Sequence, residues 1–198
     1  MSNFNARVVT DHIPEFMDSL YNAESLRNIT VVELRDLFHT NQIKSKAWLI
    51  REFICGDYDK DSKILIIGSW TGFTTLCLQK LGYTNLTEID LNPKYLKISQ
   101  NLVQNVTRHF KDVNSFIEIN DYDIIINMSC EHIVEDTWFK RIDHGKLLLL
   151  QSNNLEIPEH VNICKNIGEM VLKYPLKTLF SGTLNLNIYD RYMLVGRK

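Results

Sequence analysis

The chain contains no apolar run near the roughly 20 residues that a membrane-crossing helix requires, so no spanning segment is expected. Its opening residues, MSNFNARVVTDHIPEF, lack a basic start followed by an apolar stretch, and no signal peptide is expected. The four cysteines, Cys55, Cys77, Cys130 and Cys164, show no C-x-x-C spacing. That argues against a structural zinc site and for reduced thiols in a cytoplasmic protein. An excess of either charge is also missing. Lys and Arg number 22 against 24 Asp and Glu, a net charge of −2, which gives no electrostatic footprint for duplex nucleic acid. Internal repeats and low-complexity segments are absent. What is present is a chain of 198 residues, 44% hydrophobic, enough to build the core of one large domain.

Residues 30–54 carry apolar side chains at helical spacing and predict two helices, one with Val32, Leu34, Leu37 and Phe38 on a face, the next with Trp48, Leu49, Phe53 and Ile54. From Lys63 the pattern changes. KILIIG reads as a short buried strand, FTTLCLQKLG as a helix closed by Gly82, and NLTEID as a second strand. PKYLKISQNLVQNV reads as a helix with Pro93 in its first turn. YDIIINM is a strand, HIVEDTWFKRI a helix, and KLLLLQS another buried strand. TLFSGTLNL and DRYMLVGRK close the chain as two antiparallel strands. Alternating strands and helices with doubly apolar strands predict an α/β fold around a mostly parallel sheet.

In such sheets ligands bind beyond the carboxyl ends of the strands. The first of these ends is the loop in KILIIGSWTGFTT. Gly68 and Gly72 allow close backbone approach, and the following helix presents its N-terminus to a negative group. A P-loop is excluded, because Phe73-Thr74-Thr75 stands where Lys-Ser/Thr is needed. The dinucleotide fingerprint G-x-G-x-x-G is not met either, since Trp70 lies between only two glycines. A tight strand-to-helix turn is the plain alternative. Asp90 ends the second strand about twenty residues on, where a carboxylate can accept from two ribose hydroxyls. Alone it can equally be an N-cap for the helix at Pro93.

Gly loop, spacing and the IDLNP segment together resemble the class I S-adenosylmethionine-dependent methyltransferases, over roughly residues 60–198. The resemblance implies a Rossmann-like sheet of about seven strands with a C-terminal antiparallel hairpin. It implies one methyltransferase-like domain, with residues 1–60 as an N-terminal helical cap and 61–198 as the core. It implies S-adenosylmethionine as cofactor, with Gly68, Ser69, Trp70 and Gly72 around its methionine part, Asp90 on the ribose, and Leu91 and Asn92 beside the adenine. Asp112 and Val113 match the later acidic position near the adenine amino group. The chain departs from the pattern where Ile66 replaces an acidic residue and Trp70 a small one.

The resemblance places the end of the IIIN strand beside the methyl group. Asn127 and Met128 then line the cofactor, and Ser129, Cys130, Glu131 and His132 face the acceptor. Glu131 or His132 is a candidate base or a ligand for a substrate amine. The plain readings are a cap or pair for Glu131 within the next helix, and packing on the sheet for His132. Adjacent side chains do not form a nucleophile–base relay, and no metal is expected, because nothing near Cys130 and His132 completes a zinc set. Gln151, Ser152, Asn153 and Asn154 end the following strand and suit a polar small molecule. Lys44 and Lys46 are either solvated or grip an anion. The Asn/Asp-Pro-Pro-Tyr/Phe signature of amino-methylating enzymes is absent. The expectation is therefore methyl transfer to a small polar acceptor, without nucleic acid or membrane partners. The alternatives are lyase or aminocarboxypropyl chemistry with the same cofactor, and a non-catalytic binding module.

Overall fold

The computed structural model describes residues 9–22 and 29–198. Seven strands form one sheet in the order β3-β2-β1-β4-β5-β7-β6. They are β1 (Ile64–Ile67), β2 (Leu86–Asp90), β3 (Thr107–Phe110), β4 (Ile124–Asn127), β5 (Leu147–Asn153), β6 (Lys177–Asn185) and β7 (Asp190–Arg197). The expected α/β class, the mostly parallel sheet and the C-terminal antiparallel hairpin are all observed. The chain folds as two compact units, one from the described residues up to 61 together with 69–110, the other from 62–68 and 111–198.

The first unit holds the N-terminal helices α1 (Ile13–Asn22), α2 (Val31–Leu37) and α3 (Thr40–Cys55). Thr30 caps α2 in a reciprocal box with Glu33, which satisfies two free donors at that helix start. Strands β2 and β3 pair in parallel, flanked by α4 (Phe73–Lys80) and α5 (Pro93–Leu102). Asn92, not Asp90, caps α5 by accepting from the Lys94 N–H at 3.1 Å, so the capping alternative for Asp90 is set aside. β3 carries no apolar run. Its residues are exposed or half-buried, as an edge strand allows, and this hid it from a reading by hydrophobic pattern.

Buried Glu88 on β2 ties this unit together. It accepts from Thr75 of α4, from the Ser99 hydroxyl of α5 at 2.6 Å, and from Arg108 Nε of β3 at 2.9 Å. A fully buried carboxylate demands such partners, and here they fix two helices and a strand against β2.

The second unit contains β1, β4 and β5 in parallel register, every residue of them buried, with β7 antiparallel to β5 and β6 antiparallel to β7. Strand order reverses at β1 and β4, the position where open α/β sheets bind ligands. The expected helix over HIVEDTWFKRI is shorter than its pattern suggests. Cys130–His132 forms a 3₁₀ turn, and α6 covers only Thr137–Arg141. The intervening polar groups are held from elsewhere. Asn162 Nδ2 donates to the Ile133 carbonyl at 2.8 Å, and the Tyr174 hydroxyl donates to Asp136 at 2.7 Å. A further short helix, α7 (Ile167–Lys173), has one buried residue, Met170, and so left little trace in the sequence. No helix among the described residues is long and apolar enough to cross a membrane.

Candidate functional site

In the first unit the loop after β1 is built on unusual backbone. Trp70 adopts φ +51° and Gly72 φ +80°, the left-handed region that suits glycine and strains a bulky residue. At Gly72 space as well as φ demands glycine. A Cβ there would lie 2.2 Å from the Ser99 hydroxyl oxygen and 3.1 Å from the Ser99 Cα. Trp70 is retained in its conformation by neighbours. Its N–H donates to Asp90 Oδ2 at 2.9 Å, its ring meets Tyr95 edge-on, and the Lys46 ammonium lies 4.9 Å from the ring centre. Lys46 is buried and also donates to Gln42, so the solvated reading does not hold for it, whereas Lys44 is exposed.

Asp90 Oδ1 accepts from the Asn92 N–H at 2.8 Å. Both carboxylate oxygens thus take backbone donors, and with two lone pairs on each the group retains accepting capacity. Burial pushes the Asp90 carboxyl up from its ordinary value, against the N–H donations of Asn92, Trp70 and Leu91 that favour its charge. Leu91 beside it is 66% exposed, an apolar side chain open to solvent. Ser69 is buried, and its hydroxyl has no hydrogen-bond partner among the described residues.

In the second unit the carboxyl ends of β1 and β4 come close. Gly68 has φ +65°, and a Cβ on it would lie 2.9 Å from the Ser129 hydroxyl oxygen. Asn127 is fully buried. Its Oδ1 accepts from the Ser129 N–H at 2.9 Å, while its Nδ2 has no partner among the described residues. An unsatisfied buried donor costs about 1–3 kcal/mol, so Asn127 Nδ2 has capacity for a further acceptor. Met128 is buried, and its carbonyl accepts from Arg191. Asp112 is exposed and caps a 3₁₀ turn through the Asn114 N–H, and Val113 is buried with its carbonyl on Arg141.

The side chains after β4 are arranged differently from the expectation. Cys130 has no exposed surface, and burial pushes its thiol well up, so it presents nothing to an acceptor. Glu131 is buried rather than rim-facing. Its Oε1 accepts from Arg191 Nη1 of β7 and from Asn153 Nδ2 of β5 at 2.7 Å. The expected pair within the next helix is therefore replaced by partners from two distant strands. Asn153 is engaged inside the chain, since its Oδ1 accepts from the Leu155 N–H, and Gln151 is fully buried. His132 is exposed. Its Nδ1 lies 3.0 Å from the Glu159 carbonyl, and its ring meets His160 edge-on at 4.6 Å. His160 is a residue that pattern reading missed, and Arg191, which could reach the substrate rim by its place near the last strand, instead binds Glu131. No local motif marks either one.

No family model matches the chain, and no curated protein matches it. Solved structures do match in fold. The N-methyltransferase NodS from Bradyrhizobium japonicum WM9 is 15% identical, with a TM-score of 0.63 over 82% of this chain and 98% of its own. Magnesium protoporphyrin IX methyltransferase (ChlM) from Synechocystis PCC 6803 with bound SAH is 12% identical, with a TM-score of 0.63 over 98% of this chain and 99% of its own. MtNAS in complex with MTA and tNA is 10% identical, with a TM-score of 0.58 over 94% of this chain and 70% of its own. The chain therefore shares the fold of these proteins.

Proposed function

We propose that this chain is an S-adenosylmethionine-dependent methyltransferase acting on a small polar acceptor. One observation carries the reading: the Trp70 N–H to Asp90 bond joins the Gly loop to the carboxylate that ends β2. Backbone that can approach a ligand and an acid with free lone pairs are thereby set in one piece. Asp90 is assigned to the ribose diol, exposed Leu91 and Asn92 to the adenine, and Ser69, Trp70 and Gly72 to the methionine part. Gly68, Asn127 and Met128 are assigned to the cofactor as well, with the open Asn127 Nδ2 as donor, and Asp112 and Val113 to the adenine. The likeness in fold to NodS and ChlM supports the same reading.

Methyl transfer is in-line displacement at the carbon attached to sulfonium. The enzyme has to orient the acceptor and exclude water around it. Of the turn after β4, Glu131 is buried and tied to Arg191. His132 is the exposed polar group of that turn, and we assign the acceptor to its neighbourhood. The test is calorimetric titration with S-adenosylmethionine and S-adenosylhomocysteine, with Asp90→Ala alongside. Saturable binding lost in the variant supports the reading. A folded wild type that binds neither compound overturns it. The likeness to MtNAS in complex with MTA keeps a second reading, aminocarboxypropyl transfer. Product analysis separates the two: 5′-methylthioadenosine in place of S-adenosylhomocysteine favours the second.

A further inference from the structure

The turn after β4 and the loop after β5 bring together three groups that no sequence motif unites. One ligating atom each from Glu131, His132 and His160 lies within 4.8 Å of those of the other two. The edge of a tetrahedral set with bonds near 2.05 Å is about 3.3 Å, so a small closure suffices. The backbone holds the loop to the turn, because the Asn162 N–H donates to the Glu131 carbonyl at 2.9 Å.

The chemistry of each group suits a metal. A carbonyl only accepts, so the contact of His132 Nδ1 with the Glu159 carbonyl requires the proton on Nδ1. The same holds for His160 Nδ1 and the Leu155 carbonyl, at 2.8 Å. Both rings are thereby held as the tautomer whose Nε2 carries the lone pair, the arrangement seen where a carbonyl orients a metal-binding histidine. Glu131 is 2% exposed, with Oε1 fixed by Asn153 and Arg191. Its Oε2 has no partner among the described residues, and such an oxygen is costly to leave unmatched.

We propose that Glu131, His132 and His160 bind a divalent transition-metal ion, with Glu131 Oε2 and the two Nε2 atoms as ligands. Arg191 balances the one carboxylate. The site is therefore suited to a cation that prefers imidazole, such as zinc or cobalt, and not to magnesium or calcium, which need several hard oxygens. Three protein ligands leave a coordination position open for water or a polar ligand. The exposed His132 provides the route of entry. This inference stands whether or not the chain transfers methyl groups.

The test uses tag-free full-length chain carrying Cys55→Ser, which removes the exposed thiol as a competing ligand. Zinc and cobalt are titrated by calorimetry, with magnesium as control. One equivalent of each transition metal is expected, with no response to magnesium. His132→Gln and His160→Gln are each expected to weaken zinc binding by tenfold or more, and the double variant to abolish it, with circular dichroism unchanged. The cobalt complex of Cys55→Ser should show d–d bands without a thiolate charge-transfer band, a readout that needs no variant to fold. Absence of stoichiometric binding, zinc affinity unchanged in both histidine variants, or a thiolate band would each overturn the proposal.

Discussion

The backbone N–H of Trp70 donates to Asp90 Oδ2 at 2.9 Å, across twenty residues of sequence. The bond fixes a bulky residue at φ +51° and orients the acid that ends β2. Asp90→Ala leaves both Trp70 and Asn92 N–H without this acceptor. The expected cost is about 1–3 kcal/mol, read as a lower urea midpoint with unchanged slope. Asp90→Asn retains one acceptor oxygen and should lose less. Equal losses in the two variants would show that the backbone bonds are not the cause.

Gly72 and Gly82 separate strain from collision. Both have positive φ, +80° and +90°, but a Cβ on Gly82 meets nothing within 4 Å. Gly82→Ala should cost about 1 kcal/mol. Gly72→Ala should cost several times as much, because Ser99 is held by Glu88 and cannot give way. Thermal unfolding of the two variants side by side measures the difference.

The Glu131–Arg191 ion pair is buried, so its partners should depend on each other. Glu131→Ala or Arg191→Ala alone leaves an uncompensated charge and is expected to cost about 3–5 kcal/mol. Replacing both with Met should recover much of that loss. A double-mutant cycle in urea measures the coupling, and strictly additive losses would mean that the pair is not coupled.

The Lys94 ammonium and the Thr30 N–H hold the Glu33 carboxyl down to about 2, from an ordinary 4.5. Because the folded value is the lower one, the contribution to stability is complete above pH 4.5 and is lost as pH falls toward 2. Lys94→Met should bring the Glu33 titration back toward its ordinary value and flatten the acid loss of stability. Carboxyl titration by NMR and urea midpoints across the acid range test both halves.

Much of the fold was legible because burial leaves a local trace. ILII, IIIN and LLLLQSN lie buried on both faces of the sheet, and only near-continuous apolar runs satisfy that. The edge strand TRHF, with its exposed and half-buried residues, left no such trace. HIVEDTWFKRI failed for another reason. Its helical spacing competes with Asn162 and Tyr174, which bind its polar groups from segments the pattern cannot see.

By itself the sequence determined where the buried strands and the helices over 30–54, 73–80 and 93–102 lie, that Gly68 and Gly72 flank a loop, and that polar residues follow β4. Hydrophobic spacing and backbone freedom are properties of neighbours along the chain. Only the tertiary structure decided that Glu131 meets Arg191, sixty residues away, and that His132 meets His160. Those pairings depend on strand order and register, with β7 entering beside β5 and the loop after β5 folding over the turn. A buried carboxylate takes its partner from whichever distant segment the sheet brings alongside it.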